Sequence, residues 1–124
     1  MIHLDTHTLL WLSLRREDLI GRNARAALDE NAVAVSPIVE LELTYLFERG
    51  RLAAAPREVF ETVRVGLPFT RSDARLDAVS LAALPLAWTR DPFDRLIVAN
   101  AIADGARLLT ADRTILANFK DAVW

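Results

Sequence analysis

The sequence predicts an α/β fold: a three-layer α/β/α arrangement around a central, mostly parallel sheet. Three observations point there. Short apolar runs alternate with helical segments along the whole chain; the runs are continuously apolar, as in strands covered on both faces; and aspartates fall at the strand-to-helix junctions, where open parallel sheets place their ligand sites. The 124 residues suffice for one hydrophobic core. No linker, repeat or low-complexity stretch interrupts them, so one domain over residues 1–124 is expected.

Met1 to Leu4 forms an apolar run closed by Asp5, and Thr6 to Leu14 carries apolar residues at helical density. Ala24 to Asn31 predicts a short helix and Ala32 to Ser36 a buried strand, after which Pro37 opens a helix that Gly50 ends. Pro56 and Glu58 start the next helix, Gly66 to Thr70 is a weak strand, and Ser72 or Asp73 caps the helix after it. Asp91 to Gly105 is the densest helical segment, with Asp91 as cap, Pro92 at the first helical position and Asp94 placed for a capping-box exchange. Arg107 to Thr110 predicts a strand, Asp112 to about Phe119 a helix, and Ala122 to Trp124 a final strand.

Composition narrows the chemistry. With 52% hydrophobic and 26% charged residues, the chain is far from disordered, and a net charge of −2 gives no general attraction for nucleic acid. Any grip on phosphate must be local. The absence of cysteine removes disulfides, thiolate zinc sites and a cysteine nucleophile. The opening residues Met1 to Asp5 do not read as a leader, and the apolar runs are too short to span a bilayer. A soluble cytoplasmic protein without membrane association is expected.

The acids carry the functional signal. Asp5 closes the first strand, Asp112 follows the strand ending at Thr110, and Asp94 lies in the first turn of the strong helix. Each has an ordinary use as a helix cap or first-turn acid. Glu42 is more telling, because its helical neighbours Ile38, Val39, Tyr45 and Leu46 are all apolar. An ionised carboxylate buried there costs several kcal/mol without a partner. Glu40, with milder neighbours, reads as a solvated helix residue. Four acids meeting at one sheet edge would repel one another unless cations sat between them, and their oxygens suit magnesium or manganese. His3 and His7 have no serine elbow or second acid to form a triad, so both read as structural or peripheral. The four isolated glycines form no phosphate-cradling loop.

The blocks Leu4-Asp-Thr-His-Thr-Leu-Leu-Trp11, Val35-Ser-Pro-Ile-Val-Glu-Leu-Glu42, Arg90-Asp-Pro-Phe-Asp-Arg95 and Leu109-Thr-Ala-Asp-Arg113 resemble VapC-type PIN-domain toxins over nearly the whole chain. The resemblance implies a metal-dependent endoribonuclease whose catalytic and metal-binding acids are Asp5, Glu42, Asp94 and Asp112, with Mg2+ or Mn2+ as cofactor. It further implies an RNA substrate, a VapB-type antitoxin partner and a homodimer. The chain departs from the commoner pattern at Leu41, where tryptophan is frequent, and at Trp88-Thr-Arg90, where histidine often precedes the Asp-Pro-Phe-Asp block.

By the same analogy Thr6 and Thr110 position acids or water. Arg95 and Arg113 stand beside two of the acids and are placed to meet phosphate, a salt bridge being the ordinary alternative. Trp11, Trp88 and Phe93 serve either core packing or stacking. Two rivals are weaker. A receiver-type phosphoacceptor wants an acidic pair early and a lysine after a late strand, whereas Asp5 stands alone and Lys120 is near the end. A PIN-like RNA- or protein-binding module without catalysis would not need all four acids.

Overall fold

A computed structural model describes all 124 residues. Five parallel strands form one sheet in the order β3-β2-β1-β4-β5, made by Ile2–Leu4 (β1), Val33–Val35 (β2), Phe69–Arg71 (β3), Arg107–Leu109 (β4) and Ala122–Val123 (β5). Where a mostly parallel sheet was expected, every pairing is parallel. The first three strands step outward in one direction, and β4 then returns to the other side of β1. The crevice at this reversal, between β1 and β4, is where an open α/β sheet presents a ligand site.

Seven helices connect the strands: α1 Thr6–Ser13, α2 Arg22–Glu30, α3 Pro37–Glu48, α4 Pro56–Gly66, α5 Leu76–Ala83, α6 Pro92–Ala103 and α7 Arg113–Asn118. A 3-10 turn at Glu17–Leu19 precedes α2. The start signals act as local chemistry dictates. Ser36 accepts from Ile38 N–H ahead of Pro37, and Asp91 accepts from the Phe93 and Asp94 N–H groups ahead of Pro92. Gly50 leaves α3 at φ +70°, a left-handed conformation that a residue with a Cβ resists. Ile2, Leu4, Leu9, Val35, Leu43, Ile97, Leu108 and Leu109 are fully buried, so the middle strands and the faces of α1, α3 and α6 form one core.

Some boundaries differ from expectation. The helix after β3 begins at Leu76 without a side-chain cap. Ser72, expected to cap it, instead donates its hydroxyl to Asp104 Oδ2 at 2.6 Å and accepts from Ala74 N–H. No capping box forms at α6, because the Asp91 N–H goes to the Thr89 hydroxyl. Gly66 closes α4 and does not join the strand, and β3 buries Phe69 alone, which explains its faint pattern.

Beneath the sheet lies a polar knot. His3 in the middle of β1 is fully buried, and its Nε2 donates to Asp104 Oδ2 at 2.8 Å, at the end of α6. Asn100 donates to the same oxygen and to Ser72, so three donors converge on one carboxylate oxygen. Burial holds the His3 pKa below its ordinary value, in keeping with a neutral ring that donates one N–H. His3 is thus structural, as its sequence setting suggested. The knot ties the far end of α6 to the central strand.

Two substitutions measure these constraints. Asp104→Ala strands three donors, and its unfolding free energy in urea should fall by about 3 kcal/mol; a loss under about 1 kcal/mol would mean the knot is dispensable. At Gly21 a Cβ would stand 2.7 Å from the Trp124 backbone carbon. Gly21→Ala should therefore lower stability by about 1–3 kcal/mol, read from the same titration.

Candidate active site

Asp5 leaves β1 at the centre of the sheet and is buried. Its Oδ1 accepts the Thr8 N–H at 2.9 Å, capping α1, while its Oδ2 accepts the Thr110 hydroxyl from the end of β4. The Asp5 N–H donates to Leu109 O at 3.1 Å and the Thr8 hydroxyl to the same carbonyl at 3.1 Å. The two strands flanking the topological reversal are thereby stitched together around one carboxylate. Thr110 Oγ1 also accepts the Asp112 N–H at 3.0 Å, which carries the connection to the next acid.

Asp112 caps α7, using Oδ1 to accept the Ile115 N–H at 2.8 Å. Glu42 projects from the second turn of α3, and Asp91 and Asp94 from the start of α6. All five acids line one cavity of about 320 Å³, whose wall is completed by His7, Tyr45, Leu46, Arg51 and Phe93. Within it one carboxylate oxygen each of Glu42, Asp91 and Asp94 lies within 4.8 Å of the others. The four acids singled out from the sequence share this cavity, and Asp91 adds a fifth. Its role as a cap concealed it, although the i, i+3 spacing of Asp91 and Asp94 places both on one helix end.

Capping does not exhaust these carboxylates. Asp91 uses Oδ1 for two backbone N–H groups and Asp112 uses Oδ1 for one, while Oδ2 of each has no protein partner. Backbone hydrogen bonds fix the orientation of the carboxylate and leave the second oxygen for the cavity. The other predicted contacts divide. Glu40 is ion-paired with Arg71 at 2.8 Å, outside the cavity. Arg95, expected beside phosphate, turns away and donates to the carbonyls of Ala83 and Leu84 at 2.9 Å each, closing the end of α5. Phe93 stacks on Tyr45 at 5.5 Å, and Trp11 packs on Trp124 at 5.4 Å, while Trp88 packs part-buried against the core.

The electrostatics follow from crowding. Burial raises the Asp94 pKa to about 7, and the charges of Asp91, Glu42, Asp112 and Asp5 push in the same direction. Burial also raises Glu42, offset in part by the Thr6 hydroxyl and reinforced by Asp91. Asp5 is raised by burial against the lowering effect of its bonds to Thr110 and Thr8. Oxygens on the shell of one Mg2+ ion are at most about 4.2 Å apart, twice the metal–oxygen distance of about 2.1 Å. The Glu42, Asp91 and Asp94 oxygens, within 4.8 Å of one another, form an all-carboxylate donor set of the chemistry that a hard divalent ion takes.

An acid-lined cavity at the switch point of a parallel sheet has the place and the chemistry of a hydrolytic centre, and the likeness of this chain to known proteins agrees with that class. The PIN domain profile matches residues 2–121, and the chain belongs to the PIN domain family. It is 35% identical over 119 residues to Ribonuclease VapC22 of Mycobacterium tuberculosis, covering 90% of this chain and 87% of that protein. Two solved structures share the fold. The VapBC2 complex of Rickettsia felis, bound to a DNA fragment from its promoter, aligns with a TM-score of 0.69 and 20% identity over 99% of this chain and 96% of that one. A toxin–antitoxin complex from Klebsiella pneumoniae aligns with a TM-score of 0.63 and 16% identity over 100% and 97%.

The raised Asp94 pKa has a measurable sign. Between pH 4 and about 7 folded Asp94 holds a proton that the unfolded chain has released, so this group lowers metal-free stability as pH rises through that window. Asp94→Asn should stabilise the metal-free protein at pH 8 by about 1–2 kcal/mol after solvent screening of this half-buried side chain, and by less at pH 5. Denaturation at the two pH values in EDTA checks it. An equal effect at both would remove the electrostatic explanation.

Proposed function

We propose that this chain is a divalent-metal-dependent endoribonuclease and the toxin of a type II toxin–antitoxin pair, working in the cytoplasm as a single PIN domain. The observation that carries this reading is the convergence of five carboxylates on one cavity at the β1/β4 crevice. Membership of the PIN domain family and the 35% identity to a ribonuclease support it.

Asp5, Glu42, Asp94 and Asp112 act as the catalytic and metal-holding acids, and Asp91 joins them. Glu42, Asp91 and Asp94 would hold an ion between their clustered oxygens, and Asp112 would contribute through water or toward a second ion. When bound, Mg2+ or Mn2+ supplies the positive charge that polarises the phosphodiester and eases deprotonation of water. The protein contributes orientation: Thr8 and Thr110 fix Asp5, and the α6 and α7 backbones fix Asp91 and Asp112. No nucleophilic side chain is required, consistent with a chain that has no cysteine.

The assembled form is a homodimer neutralised by a VapB-type antitoxin. Leu76, Leu81 and Leu84, in and just after α5, are 67–74% exposed, and apolar surface of this kind favours a covered state. No helix is long and apolar enough to cross a membrane.

Asp5→Asn should abolish manganese-dependent cleavage of total RNA, a fall of at least about a hundredfold, while circular dichroism and melting remain those of a folded protein. The asparagine keeps an oxygen for the Thr8 N–H, so the cap survives. A folded, contaminant-free variant that cleaves like the parent would sink the assignment.

A further inference from the structure

Arg51 stands apart from the other arginines of this chain. It is the one arginine on the wall of the acid cavity, within a site that presents five carboxylates, yet it forms no ion pair. The pairs that do form join Arg16, Arg57, Arg71 and Arg75 to surface acids elsewhere. Arg49, two residues earlier, donates to the Tyr45 hydroxyl at 3.1 Å and lies over that ring. Arg95 is committed to the carbonyls that end α5. Arg51 alone among these keeps all five guanidinium donors without a protein acceptor.

Its place is set by the backbone. Gly50 N–H donates to Phe47 O at 3.0 Å and Arg51 N–H to Leu46 O at 2.9 Å, the paired bonds of a chain reversal that requires the positive φ of Gly50. This reversal folds Arg51 back against the last turns of α3. Leu46 lies one turn beyond Glu42 on the same helix face, and both line the cavity. Arg51 therefore stands on the cavity wall on the side from which α3 contributes its carboxylate.

The charge balance gives this position a use. Five ionised acids carry −5, so even two divalent ions leave the carboxylates one negative charge in excess, which only the Arg51 guanidinium on the cavity wall offsets before a phosphate arrives. An RNA backbone must find its countercharge at the rim, and the chain as a whole, at −2, supplies no general attraction. We propose that Arg51 is the phosphate-positioning residue of this site: its planar fork grips the non-bridging oxygens of an RNA phosphate seated at the cavity mouth. This rests on the ribonuclease reading and adds to it the group that seats the substrate.

The test compares the full chain with Arg51→Ala and Arg51→Lys on a labelled single-stranded oligoribonucleotide in Mn2+, with Mn2+ affinity measured separately by calorimetry. Arg51→Ala should raise KM about tenfold while kcat changes little, the worth of one charge-assisted contact. The slope of log(kcat/KM) against log salt should shrink by about 0.7, and Mn2+ affinity and melting temperature should stay at parent values. Arg51→Lys should recover the salt slope but not the full KM. An unchanged KM and slope would overturn the proposal. So would Mn2+ affinity or melting temperature falling in step with activity, since Arg51 would then serve the metal site or the fold. Should the unaltered protein itself cleave nothing, the ribonuclease reading fails first and this inference falls with it; loss confined to the behaviour of Arg51 leaves that reading standing.

Discussion

Everything in this architecture converges on the carboxylate of Asp5. It sits where two neighbouring parallel strands part, accepting from Thr8 on one side and Thr110 on the other. Without those two donors a buried aspartate would carry an unoffset desolvation cost, and the β1/β4 junction would lose its bridge. The same bonds that make burial tolerable aim the group into the cavity. Position and stability are here a single property, and the remaining acids are arranged around it by α3, the start of α6 and the turn into α7.

The crowded acids illustrate a division of labour between the two oxygens of a carboxylate. At Asp91 and Asp112 one oxygen serves the backbone as a cap and the other has no protein partner. Helix starts at the carboxyl ends of parallel strands thus yield oriented oxygens without a separate scaffold. The result is an electrostatically unfavourable concentration of charge, which adds to burial in raising the Asp94 pKa and which a divalent cation would relieve.

Much of this was legible in the residue order. Asp5, Glu42, Asp94 and Asp112 stood out because acids at strand ends, or among apolar helical neighbours, need an explanation, and the cavity gathers all four. The starts of α3 and α6 were legible because a cap followed by proline is a local signal. Long-range contacts were not. Ser72 abandoned its expected helix for Asp104, 32 residues away. Arg95 found carbonyls 11 and 12 residues back. Asp91 was hidden by the sufficiency of its capping role, and β3 by burying only Phe69.

That outer strand has a consequence for how the molecule meets others. β3 ends the sheet with Thr70 and Arg71 exposed, and the Arg71 side chain is committed to Glu40 and lies over the Phe60 ring. The opposite margin, β5, is only two residues long. A foreign strand seeking to extend the sheet would have to dislodge an ion pair at one margin or settle for a two-residue ladder at the other. Runaway stacking of sheets is thereby discouraged in a chain rich in apolar residues, and encounters with other macromolecules are left to its helical flanks.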